Sequence, residues 1–82
     1  NRLAPQGHAL NTALELAKEL ATLPQTCMRN DRLSALEQWD LCEDDAIRNE
    51  VRRGLATISS GETQSGATAF LGGAGRGGKK RI

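Results

Sequence analysis

Apolar residues recur along the first third of the chain with the spacing of an amphipathic helix. From Leu10 to Ala21 they follow an i, i+3, i+4, i+7 pattern, and charged side chains occupy the other side. Pro5 suits the first turn of such a helix, and Pro24 ends it. We therefore predict a first helix at about residues 6–22.

A second helix is predicted directly after Pro24, which is itself a good first-turn residue. The stretch reads "LPQTCMRNDRLSALEQW", and we place the helix at about residues 25–38. Its apolar face is formed by the following residues: Met28, Ala35, Leu36 and Trp39. Because Trp39 is large and lies at helical spacing from the others, we interpret it as a core anchor rather than the wall of a binding site.

A third helix is predicted at about residues 42–60. The letters "DLCE", Asp40 to Glu43, have the spacing of a capping box, with Asp in place of the usual Ser or Thr. The apolar stripe of this helix is Ile47, Val51, Leu55 and Ile58. Gly61 supplies the stop.

A short fourth helix is predicted at about residues 63–71, with Ala67, Phe70 and Leu71 on its buried side. No strand-like alternation and no repeat are present, so we predict an all-α fold of about four helices. The helical module spans residues 1–72. The Gly-rich basic segment 73–82, "GAGRGGKKRI", is predicted to be a flexible tail.

Composition limits the core that this chain can build. Leu, Ile, Val and Phe together make up 16 of the 82 residues, and the only aromatic residues are Trp39 and Phe70. Small Leu and Ala side chains bury little area, at roughly 25 cal/mol per Å² of apolar surface. The net charge of +1 argues against a disordered chain. We infer a module that normally packs on another surface.

Cys27 and Cys42 lie fifteen positions apart, which is neither a C-x-x-C spacing nor the density of a secreted disulfide scaffold. Free thiols in a reducing cytoplasm are therefore expected. No apolar run has the length of a membrane span, and no signal sequence is recognisable. The start at Asn1 is consistent with a processed product or with a section of a longer polypeptide.

Most motifs have ordinary structural interpretations. Glycines 73, 75 and 78 match G-x-G-x-x-G, but no strand precedes them and no helix follows, so the match is accidental. His8 has no neighbouring residues that would make it a metal ligand or a catalytic base. The acidic run Glu43, Asp44 and Asp45 suits the first turn of a helix, where the backbone dipole favours carboxylates without any catalytic or metal-binding role.

The order of helices resembles the C-terminal helical region of the enoyl-CoA hydratase (crotonase) superfamily. The resemblance runs through "ALNTALELAKELATLPQTCMRNDRLSALEQW" and then "EDDAIRNEVRRGLATISSGETQSGATAFLGGAGRGG", nearly the whole chain. It implies the trimerisation part of the crotonase fold without the β/α spiral core that carries the oxyanion hole and catalytic acids. The implied function is an assembly and active-site-covering module of a cytoplasmic hydratase or isomerase (lyase) of fatty acid metabolism, with no catalytic residue of its own.

The resemblance also implies a ligand contact. Phe70, in "GATAF", matches the aromatic residue that lies near the CoA adenine bound by a neighbouring subunit, so a coenzyme A thioester is the implied substrate. The family's lysine three positions later falls on Gly73, and Arg76 is the candidate that replaces it. The implied partners are further copies of the chain or a crotonase-like catalytic domain.

An alternative from a different class is a small nucleic-acid-binding or protein-interaction module that uses the basic tail. Arg76, Lys79, Lys80 and Arg81 concentrate positive charge there. Because the tail has no aromatic residues on which bases would stack, nucleic-acid binding is the less favoured alternative.

Overall fold

The structure, a computed structural model, describes residues 1–78. Its four α-helices span Ala9–Ala21 (α1), Gln25–Glu37 (α2), Glu43–Ser59 (α3) and Glu62–Leu71 (α4). Single 3₁₀ turns lie at Gln38–Asp40 and Arg76–Gly78. No strand is present within residues 1–78. The prediction of an all-α fold with about four helices is confirmed.

The first helix begins three residues later than predicted. Pro5 lies before α1 rather than in its first turn, because Gly7 adopts a φ of +84° and the chain turns there. The backbone N–H of His8 donates to the carbonyl oxygen of Pro5 at 3.0 Å, which closes this turn. The helix then starts with His8 as its N-cap.

The predicted capping box at Asp40 is wrong. Asp40 belongs to the 3₁₀ turn that extends α2, and the N-cap of α3 is Cys42, whose side chain makes no capping hydrogen bond. The acidic residues 43–45 do lie in the first turn of α3, as predicted. Their carboxylates lie at the end of the helix where the backbone N–H groups are unpaired, which is the favourable end for negative charge.

Helices α2 and α3 form the main packed pair, and α4 packs on both of them. The pair is antiparallel, since Asn30 bonds Thr57 at one end while Glu37 bonds Asn49 at the other. Only Ser34 and Thr57 are buried among the described residues, at 8% and 7% exposure, and no described apolar side chain is fully buried. The inner faces of the pair are therefore polar.

Trp39 is not the core anchor that its spacing suggested. Its side chain is 81% exposed. The α-helix ends at Glu37, and the tighter 3₁₀ turn that follows rotates residues by about 120° each instead of 100°, so Trp39 leaves the face it would share with Leu36. Leu36 is also exposed, because the face of α2 that packs on α3 carries polar residues.

The predicted buried side of α4 is likewise exposed. Ala67, Phe70 and Leu71 all lie on the outside, whereas the half-buried positions of this helix are Glu62 and two small residues, Gly66 and Ala69. The carboxylate of Glu62 holds α4 against α2 through hydrogen bonds from the backbone N–H groups of Thr26 and Cys27.

The described chain is open and flat. Its Cα radius of gyration is 15.9 Å and its extents are 44 × 35 × 20 Å, against about 12 Å for the radius of a compact domain of this length. The accessible surface is 6780 Å², whereas a compact monomer of 8.8 kDa exposes about 4800 Å². About 2000 Å² more surface is uncovered than in an ordinary monomer, and the apolar helix faces contribute to it.

The start of the predicted flexible tail forms turns in the structure. The N–H of Ala74 donates to the carbonyl of Ala69 at 3.0 Å, and Gly73 and Gly75 have φ values of +108° and +76°. Residues 79–82, which include the basic residues Lys79, Lys80 and Arg81, lie outside the described residues. None of the helices between residues 1 and 78 combines the length and apolar content that crossing a membrane requires.

Candidate functional site

An open groove of about 700 Å³ lies between α1 and α4. Its lining is mainly apolar, with Leu16 and Leu20 on the side of α1 and Ala69 and Phe70 on the side of α4. The turn at Ala74 lines it as well. A groove of this size falls within the range of small-molecule sites in proteins.

Phe70 and Arg76, the two candidate site residues from the sequence, come together beside this groove. The guanidinium carbon of Arg76 lies 5.3 Å from the centre of the Phe70 ring, which is within cation–π range. The ring of Phe70 is 53% exposed, so a large part of it is accessible. A Cβ atom at Gly75 would lie 4.0 Å from the ring, so the turn passes close to it.

Two further cations, Arg2 and Lys18, line the groove together with Glu19. Arg2 Nη2 lies 3.0 Å from Glu19 Oε2, and this hydrogen bond raises the pKa of Arg2. Gly73, at which the sequence resemblance led us to expect a lysine, offers no side chain. The groove thus combines an aromatic face, an apolar floor and three arginine or lysine side chains at or near its edge, which suits a flat ring that carries anionic groups.

A second groove, of about 570 Å³, lies where α2, the 3₁₀ turn and α3 meet. Trp39, Leu41, Ile47 and Val51 supply its apolar side chains. At its base, the buried hydroxyl of Ser34 donates a short hydrogen bond to Glu50. An exposed tryptophan beside aliphatic side chains is typical of a surface that contacts another protein.

A polar network joins α2 to α3. Arg53 forms an ion pair with Glu37, and its Nε donates to Glu37 Oε2 at 2.8 Å. Asn49 Nδ2 donates to the same oxygen at 2.6 Å. Arg53 Nη1 also donates to Asn30 Oδ1 at 3.1 Å, and Asn30 Nδ2 donates to Thr57 Oγ1 at 3.1 Å. These bonds fix the register of the two helices.

The sequence indicates this network through polar residues at helical spacing, which apolar periodicity alone does not detect. Asn30, Ser34 and Glu37 stand at i, i+4 and i+7, so they share one face of α2. That polar face, rather than the apolar one, packs on α3. Hydrogen bonds from Arg53 and then from Asn49 lower the pKa of Glu37 to about 2, because they favour its ionised form.

This pKa predicts how the helix pair responds to acid. A carboxyl whose pKa falls on folding stabilises the fold above its unfolded pKa near 4.5, and that stabilisation is lost as the pH falls towards about 2. We expect the midpoint of thermal unfolding of the parent chain to fall more steeply between pH 4.5 and 2 than that of Glu37→Gln. Circular dichroism melts across this range measure the difference. Parallel pH profiles for the two chains would contradict the assignment.

A carboxylate from α4 caps the N-terminus of α2. Glu62 Oε1 accepts the backbone N–H of Thr26 at 2.9 Å, and Oε2 accepts that of Cys27 at 2.7 Å. The N-cap residue, Pro24, has no side chain that can do this. The cap joins positions 35 and 36 residues apart, and it places a negative charge at the positive end of the helix.

The two cysteines are free thiols, as predicted. Cys27 is half-buried and its Sγ lies 3.8 Å from Asp31 Oδ2. Burial raises the pKa of the Cys27 thiol, and the nearby carboxylates of Asp31 and Glu62 raise it further. A raised pKa reduces the thiolate fraction, so Cys27 lacks the environment of a reactive cysteine.

Of the other candidate residues, Glu43 lines the second groove, whereas His8 and Asp45 line neither groove. His8 is exposed at the start of α1. Asp45 pairs with Arg48 one turn along α3, at 3.3 Å. Among residues 1–78 no group of three His, Cys, Asp or Glu side chains has an arrangement that would hold a metal ion.

No protein-family model, curated protein or solved structure matches the chain. The resemblance to the enoyl-CoA hydratase C-terminal region therefore has no support from these comparisons and stays a prediction from the sequence pattern. The features of the molecule that bear on function are the uncovered apolar faces and the groove at Phe70.

Proposed function

We propose that the chain is the C-terminal assembly and active-site-covering module of a cytoplasmic enoyl-CoA hydratase-like protein that acts on acyl-CoA thioesters. In this proposal the helices bind other subunits or a crotonase-like catalytic domain and have no hydratase activity by themselves. The catalytic acids and oxyanion hole belong to that other domain.

The observation that carries the proposal is the uncovered apolar surface. The chain exposes about 2000 Å² more than a compact monomer of its mass, and the four apolar side chains of the α3 stripe are each 55–59% exposed. Obligate interfaces bury about 1000 Å² or more per subunit and are rich in such side chains. A module whose helices dock on other subunits accounts for this surface.

The groove supports the coenzyme A part of the proposal. The exposed face of the Phe70 ring suits stacking with an adenine ring. The guanidinium of Arg76, whose carbon lies 5.3 Å from the centre of the Phe70 ring, suits a phosphate group. Gly73 leaves the family's lysine position without an amine, so we assign the phosphate contact to Arg76. Lys18 adds a positive charge to the same groove, whereas the charge of Arg2 is paired with Glu19.

Titration with coenzyme A tests this assignment. We expect Phe70→Ala to weaken coenzyme A binding by about 1–3 kcal/mol, the usual cost of losing base stacking on an aromatic side chain. Leu71→Ala is the matched control, because Leu71 is exposed on the same helix but does not line the groove. Isothermal titration calorimetry measures both variants beside the parent.

The outcomes separate the candidate functions. Equal binding by the parent and Phe70→Ala would contradict the site, and hydration of a short enoyl-CoA by the purified chain would contradict a module that lacks catalytic machinery. Binding of single-stranded oligonucleotide without any binding of coenzyme A would favour the nucleic-acid alternative.

A further inference from the structure

The outer face of α3 carries a regular seam that nothing in the chain covers. Ile47, Val51, Gly54 and Ile58 follow one another at intervals of four, three and four residues, which is the spacing of core positions in paired helices. At about 100° per residue they lie within an arc of about 60°. The side of α3 that packs on α2, with Arg53 and Thr57, is rotated by about 90–130° from this seam.

Gly54 in the middle of this seam has no explanation within the chain. Glycine is the least favourable residue for a helix interior apart from proline. A Cβ atom at Gly54 would meet nothing within 4 Å, and its backbone is not in the left-handed region, so neither crowding nor turn geometry requires glycine here. A small residue at a seam position instead lets a second helix approach closely.

We propose that two copies of this chain pair through α3 in antiparallel orientation, about a two-fold axis midway between Arg52 and Arg53. Ile47 then faces Ile58 of the partner subunit, and Val51 faces Gly54 of the partner subunit. The valine fills the space that the glycine leaves. A parallel pair would place glycine against glycine and leave a gap, so the sequence of the seam is self-complementary only in the antiparallel arrangement.

The chain as a whole exposes enough surface for this second copy. A stable dimer buries about 800 Å² per subunit, which is less than half of the roughly 2000 Å² by which the whole chain exceeds a compact monomer. No residue of α3 lines the groove between α1 and α4, so a second copy on α3 leaves that groove available to another domain. This inference rests on the proposed assembly function and specifies one of its contacts.

Disulfide crosslinking tests the geometry. In the full chain with Cys27→Ser and Cys42→Ser, Ile47→Cys and Ile58→Cys are prepared as two separate variants. We expect mild oxidation to crosslink the mixture of the two but neither one alone, because position 47 faces only position 58 of the other copy. Sedimentation of the unmodified chain is measured in parallel.

Three other results would contradict the inference, and each has a different meaning. Crosslinks within either variant alone mean a parallel pair. No crosslinks from a chain that sediments as an oligomer mean that assembly uses another surface, so the proposed function stands without this seam. A chain that sediments as a monomer removes the proposed assembly function and the seam together.

A second measurement uses the two mid-helix glycines as a matched pair. Gly54→Ala and Gly66→Ala each add one methyl group that meets nothing within the chain. We expect both to increase helicity, but only Gly54→Ala to raise the dissociation constant of the dimer, by about tenfold, through overpacking at the seam. An unchanged or lower dissociation constant for Gly54→Ala would overturn the close approach of the two helices.

Discussion

Glu62→Ala is expected to lower the free energy of unfolding by about 2 kcal/mol, because it removes a carboxylate that accepts two backbone N–H groups at the start of α2. The total free energy of unfolding of a domain of this length is only about 4–12 kcal/mol. The midpoint of thermal unfolding should therefore fall by roughly 10 °C. Circular dichroism melts at one fixed protein concentration measure the change.

Gln64→Ala is the matched control for this prediction. Gln64 is exposed on the same helix, two residues after Glu62, so its removal should change stability by no more than about 0.5 kcal/mol. Glu62→Gln should fall between the two, since an amide offers one oxygen where the carboxylate offers two. If Glu62→Ala and Gln64→Ala have the same midpoint of thermal unfolding, then the cap does not hold α4 on α2.

The double substitution Ile47→Glu and Ile58→Glu is expected to abolish self-association. Both side chains are more than half exposed in the single chain, so the substitution leaves the monomer fold intact. In an assembly it removes two buried apolar side chains per subunit, each worth about 1.5–3 kcal/mol, and adds charges in their place. We expect the dissociation constant to rise at least about a hundredfold, as measured by light scattering.

A second double variant separates the effect of position from that of charge. Asn11→Glu and Gln64→Glu add the same two negative charges at exposed positions of α1 and α4. This control should associate like the parent. If both double variants dissociate equally, then net charge rather than the face of α3 governs association.

The number and type of the helices could be predicted from the sequence because they depend on local patterns. Apolar residues at helical spacing, Pro24 between the first two helices and Gly61 before the fourth identify the elements. The capping box and the buried tryptophan were predicted wrongly because the 3₁₀ turn after α2 changes the backbone geometry there. Asp40 did not become a cap because the 3₁₀ turn took it up, and the same turn moved Trp39 to the surface.

Which faces pack together could not be predicted from apolar spacing. Apolar spacing predicts that the apolar face of each helix points inward. In this chain, however, Ser34 and its polar neighbours pack on α3, and Ile47 and Val51 stay largely exposed. The cap from Glu62 joins residues about 35 positions apart, so no local pattern indicates it. The proximity of Arg76 to Phe70 likewise depends on the path of the turn between them.

Sedimentation equilibrium of the unmodified chain shows whether the exposed apolar faces are assembly surfaces. If they are, we expect the average mass to rise with concentration from that of one 8.8 kDa chain to that of a dimer or a larger species. A single monomeric species at every concentration, in a chain that is fully helical and unfolds cooperatively, would contradict this expectation.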